Sequence, residues 1–263
     1  MAERRIIGHG PARIEFLAQG HGPTVLLLPS LGRGAEDFDS LASRIAAAGF
    51  RVVRPEPRGI GQSSGPMEGL TLYDLAEDAA AALVADAGEA PAQPAMIAGH
   101  AFGNWVARAL SAVRPDLVRA VALLAASVGT EIDPAIRASI DGSFDPALSD
   151  AERLRHLQRG YFAPGHDARV WLAGWHPAVA RMQRAATAAT HDPVWRRVAD
   201  RVPVLYLAAA EDVIAPPPTL DQLRQALGER VSLVGIPDAG HALLPEQPEA
   251  TAEALIHFAR NLA

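Results

Sequence analysis

The chain has 263 residues, 49% of them hydrophobic, 21% charged and 5% aromatic, with 22 Gly, 21 Pro and no Cys, which excludes a disordered chain, a collagen-like repeat and a disulfide scaffold. A formal net charge of −6, from 24 Lys and Arg against 30 Asp and Glu, provides no basic field for phosphates, so nucleic acid is not an expected partner. The lack of cysteine also removes thiolate nucleophiles and Cys-ligated zinc.

Met1-Ala2-Glu3-Arg4-Arg5 leads into a strand-like run without the apolar core of a signal peptide. No stretch approaches roughly 18 continuous apolar residues, so a cytoplasmic protein without membrane contact is expected. Arg5–Gly8 and Ala12–Leu17 alternate in polarity and predict an antiparallel pair at a sheet edge. Further on, Thr24–Leu28, Arg51–Arg54, Ala95–Ala98, Val118–Leu124, Val204–Leu207 and Val231–Val234 are compact apolar runs, suited to strands covered on both faces. Helical patterns fall between them, over Glu36–Ala48, Thr71–Ala87, Gly103–Val113, Thr219–Leu227 and Pro248–Asn261, with Gly49 and Gly228 as C-terminal caps. Strands alternating with helices predict βαβ units around a mostly parallel sheet.

Between about Gly129 and Arg201 the strand pattern stops, and Trp171, Trp175 and Trp195, three of the four Trp, lie in this helical and irregular stretch. It reads as an insertion between two strands. The expected organisation is therefore one α/β core domain, residues 1–128 and 202–263, with residues 129–201 as a helical and irregular insertion. Gly59–Pro66 and Pro216-Pro217-Pro218 read as loops, not domain linkers. Arg58 and Ser63 read as groups that structure the first of them, because the glycine turn there lacks the frame and the lysine of a phosphate loop. His166, Asp167 and His176 lack convergent ligand spacing, so no metal is expected.

The strongest local signal is Gly99-His100-Ala101-Phe102-Gly103, placed after an apolar β run and opening a helix. Two glycines around a central residue suit a tight strand-to-helix turn, where a neighbouring Cβ would clash. Such a turn carries a nucleophile when its central residue is serine, and here that residue is alanine. Downstream, Glu211-Asp212 follows a strand and can place a carboxylate at its C-terminal end, with Glu211 and Asp212 both open as that acid, and Gly240-His241 follows the next strand. The chain order is turn, acid, histidine.

On these residues the chain resembles the α/β-hydrolase superfamily over nearly its whole length. Leu27-Leu28-Pro29-Ser30-Leu31-Gly32 and Glu56-Pro57-Arg58-Gly59-Ile60-Gly61-Gln62-Ser63 are variant forms of two further family features. The resemblance implies an α/β-hydrolase fold with a mostly parallel, doubly wound sheet of about eight strands, a helical lid inserted after the sixth strand and formed by residues 129–201, and chemistry at the carboxyl ends of the strands. It also implies that His241 is the base, Asp212 its orienting carboxylate, and the amides of Leu31 and Phe102 the oxyanion hole beside Ala101. Ser30, His100, Tyr161, Phe162, Trp171 and Trp175 are expected to line an apolar substrate pocket.

The expected function is hydrolysis of a small, largely apolar ester, lactone or amide without a cofactor, with a small-molecule substrate as the partner. A homodimer is left open. A methyl group cannot attack a carbonyl, so this chain is expected to be inactive or weak as a serine hydrolase. Two accounts of Ala101 stand at this point: a deliberate exchange for serine, or a native alanine. Two other functions are also open, a ligand-binding homologue that has lost catalysis and a cofactor-free lyase or oxygenase using the His241–Asp212 dyad.

Overall fold

The computed structural model describes residues 2–129 and 131–262; Met1 and Ala263 of the expected core and Thr130 of the expected insertion lie outside the described residues. Its centre is an eight-stranded sheet, formed by β1 (Glu3–His9), β2 (Ala12–Gln19), β3 (Thr24–Leu28), β4 (Arg51–Pro55), β5 (Ala95–His100), β6 (Val118–Leu124), β7 (Val204–Ala209) and β8 (Val231–Ile236). The strand order is β1-β2-β4-β3-β5-β6-β7-β8. The first three strands in that order pair antiparallel and the rest are parallel.

The apolar runs of β3 to β7 follow the period of two of a strand buried on both sides, whereas β8, at the sheet edge, leaves Ser232, Val234 and Gly235 exposed. In β3, Leu26 and Leu28 join one core cluster while Val25 and Leu27 join the opposite one, and in β6 Val121 and Leu123 face away from Ala120, Ala122 and Leu124. Burying one such Val or Leu side chain contributes about 1.5–3 kcal/mol. β2 departs from the half-exposed pattern expected at an edge: it lies between β1 and β4, and Arg13 is its only exposed residue. Even its Glu15 is buried, accepting from Arg4 at 2.8 Å and from the Gln62 amide at 2.7 Å.

One face of the sheet is covered by α2 (Leu72–Ala87) and α3 (Gly103–Val113), with α7 (Leu220–Leu227) further along; the other is covered by α1 (Asp39–Ala47) and α9 (Pro248–Arg260). Thr71 starts α2 with a capping box, its backbone N–H donating to Asp74 at 2.7 Å. Arg58 donates both arms of its guanidinium to Asp78 of α2, at 2.7 and 2.9 Å, and Ser63 Oγ donates to the Glu56 carbonyl, so both side chains hold the loop after β4 in place.

Between β6 and β7 the chain forms α4 (Pro134–Gly142), α5 (Asp150–Gly160) and α6 (Pro177–Ala189). Asp133 caps α4, and a Ser149–Glu152 capping box starts α5. A third apolar cluster, containing Leu157, Tyr161, Phe162 and Trp171, reaches across to Ile214 and Ala242 of the core. Trp195 belongs elsewhere: it packs into the sheet-side cluster with α3. A short helix, α8 (Leu243–Glu246), precedes α9. No described helix is long and apolar enough to cross a membrane.

Candidate active site

β5 runs straight into α3 through Ala101, which has φ 48°, a left-handed conformation that costs a residue with a Cβ about 1–2 kcal/mol. The turn holds because its backbone is bonded on both sides: the Ala101 N–H donates to the Leu124 carbonyl at 2.9 Å, and its carbonyl accepts from the Asn104 amide at 3.1 Å and from the Asn104 side chain. Both flanking glycines are obligatory. A Cβ on Gly103 would lie 2.2 Å from the Leu28 carbonyl oxygen, and one on Gly99 would lie 2.3 Å from the Gly103 backbone.

Asp212 and His241 lie just beyond the carboxyl ends of β7 and β8, and both are buried. Asp212 Oδ2 is 2.9 Å from His241 Nδ1. Its other oxygen accepts the backbone N–H groups of Ile214 and Ala215, each at 2.8 Å, so the carboxylate is aimed at the imidazole by its own loop. The loop before His241 is fixed by Glu246, which accepts from the Gly240 amide at 2.8 Å and from the Ala163 amide of the insertion at 2.7 Å. Burial pushes the Glu246 carboxyl above its ordinary range.

Ala101 and His241 line one cavity of about 370 Å³ together with Leu31 and Phe102. The backbone N–H groups of Leu31 and Phe102 donate to no protein acceptor among the described residues. Ser30 and Tyr161 also line the cavity, as the sequence suggests. The other four residues expected there do not. Trp171 and Phe162 pack into the insertion's own cluster, and Trp175 stacks on Phe144 with ring centroids 5.4 Å apart. Trp171 and Trp175 are drawn off the cavity by the Arg33 guanidinium, which lies 4.7 and 4.8 Å from their ring centres.

His100 lies behind the site, fully buried, where its Nε2–H donates to the His241 carbonyl at 2.8 Å. Burial, reinforced by the neighbouring His241, pushes its pKa down to about 3, so the ring is neutral. In place of those four residues the cavity is walled by Trp105, Ile140, Ile214 and Ala215, with Arg137 and the Arg184–Asp141 pair, 2.6 Å apart, among its charged groups. Trp105 carried one usable signal in the sequence, since it stands two residues after the elbow's second glycine on the first turn of α3. Ile140 and Arg137 carried none, because only the packing of α4 brings them over the sheet.

A strained elbow after a central strand, an acid and a histidine after the last two strands, and two amides without a protein acceptor among the described residues are the features of a hydrolase site at the carboxyl edge of a parallel sheet. The chain belongs to the alpha/beta hydrolase family, whose profile matches residues 25–254. The protein named "Putative non-heme bromoperoxidase BpoC", from Mycobacterium tuberculosis, is 27% identical over 265 residues, covering 90% of this chain and 93% of its own. Its crystal structure is similar to this one with a TM-score of 0.77 at 25% identity, over 95% of this chain and 96% of that one. Epoxide hydrolase A of the same organism is 24% identical over 315 residues, covering 98% of this chain and 97% of its own. A thermophilic esterase from Thermogutta terrifontis shares the fold, with a TM-score of 0.75 at 22% identity over 99% of both chains. Family and relatives make the chain an enzyme of the α/β-hydrolase type.

Proposed function

We propose that the chain hydrolyses a small, largely apolar ester, lactone or amide with His241 as general base and water as the nucleophile. The observation that carries this reading is the buried Asp212–His241 pair opening into the same cavity as Ala101 and the unpartnered amides of Leu31 and Phe102. Asp212 accepts a hydrogen bond from Nδ1–H and so leaves Nε2 as the acceptor. A water donates a proton to Nε2 while its oxygen attacks the substrate carbonyl. The carbonyl oxygen takes up negative charge facing the Leu31 and Phe102 N–H groups. Collapse of the tetrahedral adduct returns the proton from the imidazolium to the departing alkoxide or amine, giving an acid and an alcohol or amine. The β6–β7 insertion serves as a lid, whose α4 supplies Ile140 to an apolar wall that selects compact apolar substrates.

Ala101 keeps the strained elbow without its usual hydroxyl, so no acyl-enzyme forms at this position and the rate rests on the dyad and the amides. In a serine protease, removal of the nucleophile still leaves about 10³–10⁴-fold acceleration over water. Hydrolysis of 4-nitrophenyl butyrate and of a short γ-lactone by the chain as it stands tests the reading. Substituting His241→Gln is expected to lower the enzyme-dependent rate by about 10²–10⁴-fold. An unchanged rate in that variant, or no binding of either compound, would remove the proposal.

A further inference from the structure

The loop after β3 is held by the insertion more than by the sheet. Gly32, next to Leu31, donates its N–H to Gln183 Oε1 of α6 at 2.7 Å, and its carbonyl accepts from the His176 N–H at 2.8 Å. Gln183 is buried, so this bond does not compete with bulk water. Gly32 has φ +64°, and a Cβ there would meet the Ala180 Cβ at 2.9 Å and the His176 carbonyl oxygen at 3.2 Å, which shows how closely α6 approaches. One residue on, Arg33 donates to the Ala173 carbonyl at 2.7 Å and lies against Trp171 and Trp175. The far end of α6 is tied down as well, where Thr190 Oγ1 accepts the Leu72 amide at 2.8 Å.

The Leu31 N–H shares a peptide plane with the Ser30 carbonyl, and that carbonyl accepts from the Arg33 N–H at 3.2 Å. Residues 30–33 therefore form one turn, with the Ser30–Leu31 plane held from within and the planes on either side of Gly32 held by the insertion. Among the described residues no bond from the sheet duplicates that of Gln183. We propose that Gln183 is a positioning residue of the oxyanion site: by fixing the Gly32 amide it sets the direction of the Leu31 N–H, so the site is assembled only when α6 is seated over the cavity. The inference rests on reading Leu31 as an oxyanion donor. It gives the insertion a second task besides covering the cavity, because its departure would misdirect a donor as well as admit water.

The test uses two readouts. In an Ala101→Ser background assayed with 4-nitrophenyl butyrate, Gln183→Leu removes the acceptor at similar volume, with Gln183→Ala as the smaller alternative should the leucine variant not fold. Loss of a whole oxyanion donor costs about 10²–10³ in kcat, so a misdirected one is expected to cost roughly 10- to 100-fold with KM changed by less than about threefold. Gln183→Glu, whose carboxyl oxygen still accepts from Gly32, is expected to restore most of the rate. The second readout needs no activity: in the Ala101 chain, the ¹H–¹⁵N resonances of Leu31 and Gly32 are expected to move together in Gln183→Leu and Gln183→Ala and to stay in place in Gln183→Glu. A folded Gln183→Ala with unchanged kcat and an unmoved Leu31 resonance would overturn the proposal, as would equal losses in the Glu and Ala variants. If Ala101→Ser shows no hydrolysis, the oxyanion reading fails, and the amide resonances still decide whether Gln183 holds Leu31.

Discussion

Replacing Asp212 in two ways separates its structural work from its chemical work. Asp212 makes three bonds: Oδ1 accepts the Ile214 and Ala215 amides at 2.8 Å each, and Oδ2 faces His241 Nδ1 at 2.9 Å. In Asp212→Asn the amide oxygen can keep both backbone bonds, while the NH₂ group turns to His241 and forces its Nδ1 to accept. The proton then moves to Nε2, and the base is blocked. Activity in an Ala101→Ser background is expected to fall by up to about 10⁴-fold, the scale of the same exchange in a serine protease, with the melting temperature nearly kept. In Asp212→Ala both backbone N–H groups lose their acceptor in a buried setting, at about 1–3 kcal/mol each, or roughly 2–6 kcal/mol together. At about 2–4 °C per kcal/mol for a chain of this size, thermal unfolding is expected roughly 4–24 °C lower. Kinetics with 4-nitrophenyl butyrate and calorimetry on the same preparations check both numbers. Equal thermal shifts in the two variants, or an Asn variant within tenfold of its parent, would refute this division of labour.

His100 predicts an acid-sensitive core: its pKa falls from 6.5 to about 3 on folding, so the unfolded chain takes up a proton that the native chain refuses. The stability this histidine contributes is fully present above pH 6.5 and is lost as pH falls towards 3, at up to about 1.4 kcal/mol per unit. Urea titrations between pH 7.5 and 4.5 are expected to show a steeper decline for the parent than for His100→Gln, and parallel declines would contradict the assignment. Trp105 lines the cavity and packs edge-on against Phe102 at 6.0 Å, whereas Trp175 stacks away from it on Phe144. The fluorescence change on adding 4-phenyl-2-butanone is therefore expected to vanish in Trp105→Phe and to persist in Trp175→Phe, and the reverse pattern would place the ligand under the insertion's tryptophans.

The sheet was legible in the sequence because its inner strands are short apolar runs whose two faces both need covering, while the edge strand β1 alternates in polarity and leaves most of its residues exposed. All eight runs are strands in the structure, and the elbow was visible because glycines at 99 and 103 have a local steric cause. His241 and the Glu211-Asp212 pair were placed by their position after strands, the resemblance selected Asp212, and the structure brings Asp212 and His241 within 2.9 Å of each other. The pocket wall was less legible. Trp171 and Trp175 look like wall residues in a lid, but the Arg33 guanidinium, 138 positions from Trp171 along the chain, draws both into the insertion's own packing. His100 has a place in the elbow that suggests a cavity-facing ring, yet strand alternation turns it to the buried side, against the His241 carbonyl. Gln183 carried no local signal, since its partner lies 151 residues earlier.

With every other part of an acyl-transfer site proposed to stand in working position, Ala101→Ser is expected to supply the one missing group, the nucleophile. Serine adds one oxygen to a Cβ that already occupies the left-handed elbow, so little change in stability is expected. With 4-nitrophenyl butyrate as substrate, the expected gain is on the order of 10⁴-fold, equivalent to about 5.5 kcal/mol of transition-state stabilisation, and it should disappear when His241→Ala is added. A folded Ala101→Ser protein no faster than its parent, or one whose gain survives the loss of His241, would contradict that proposal.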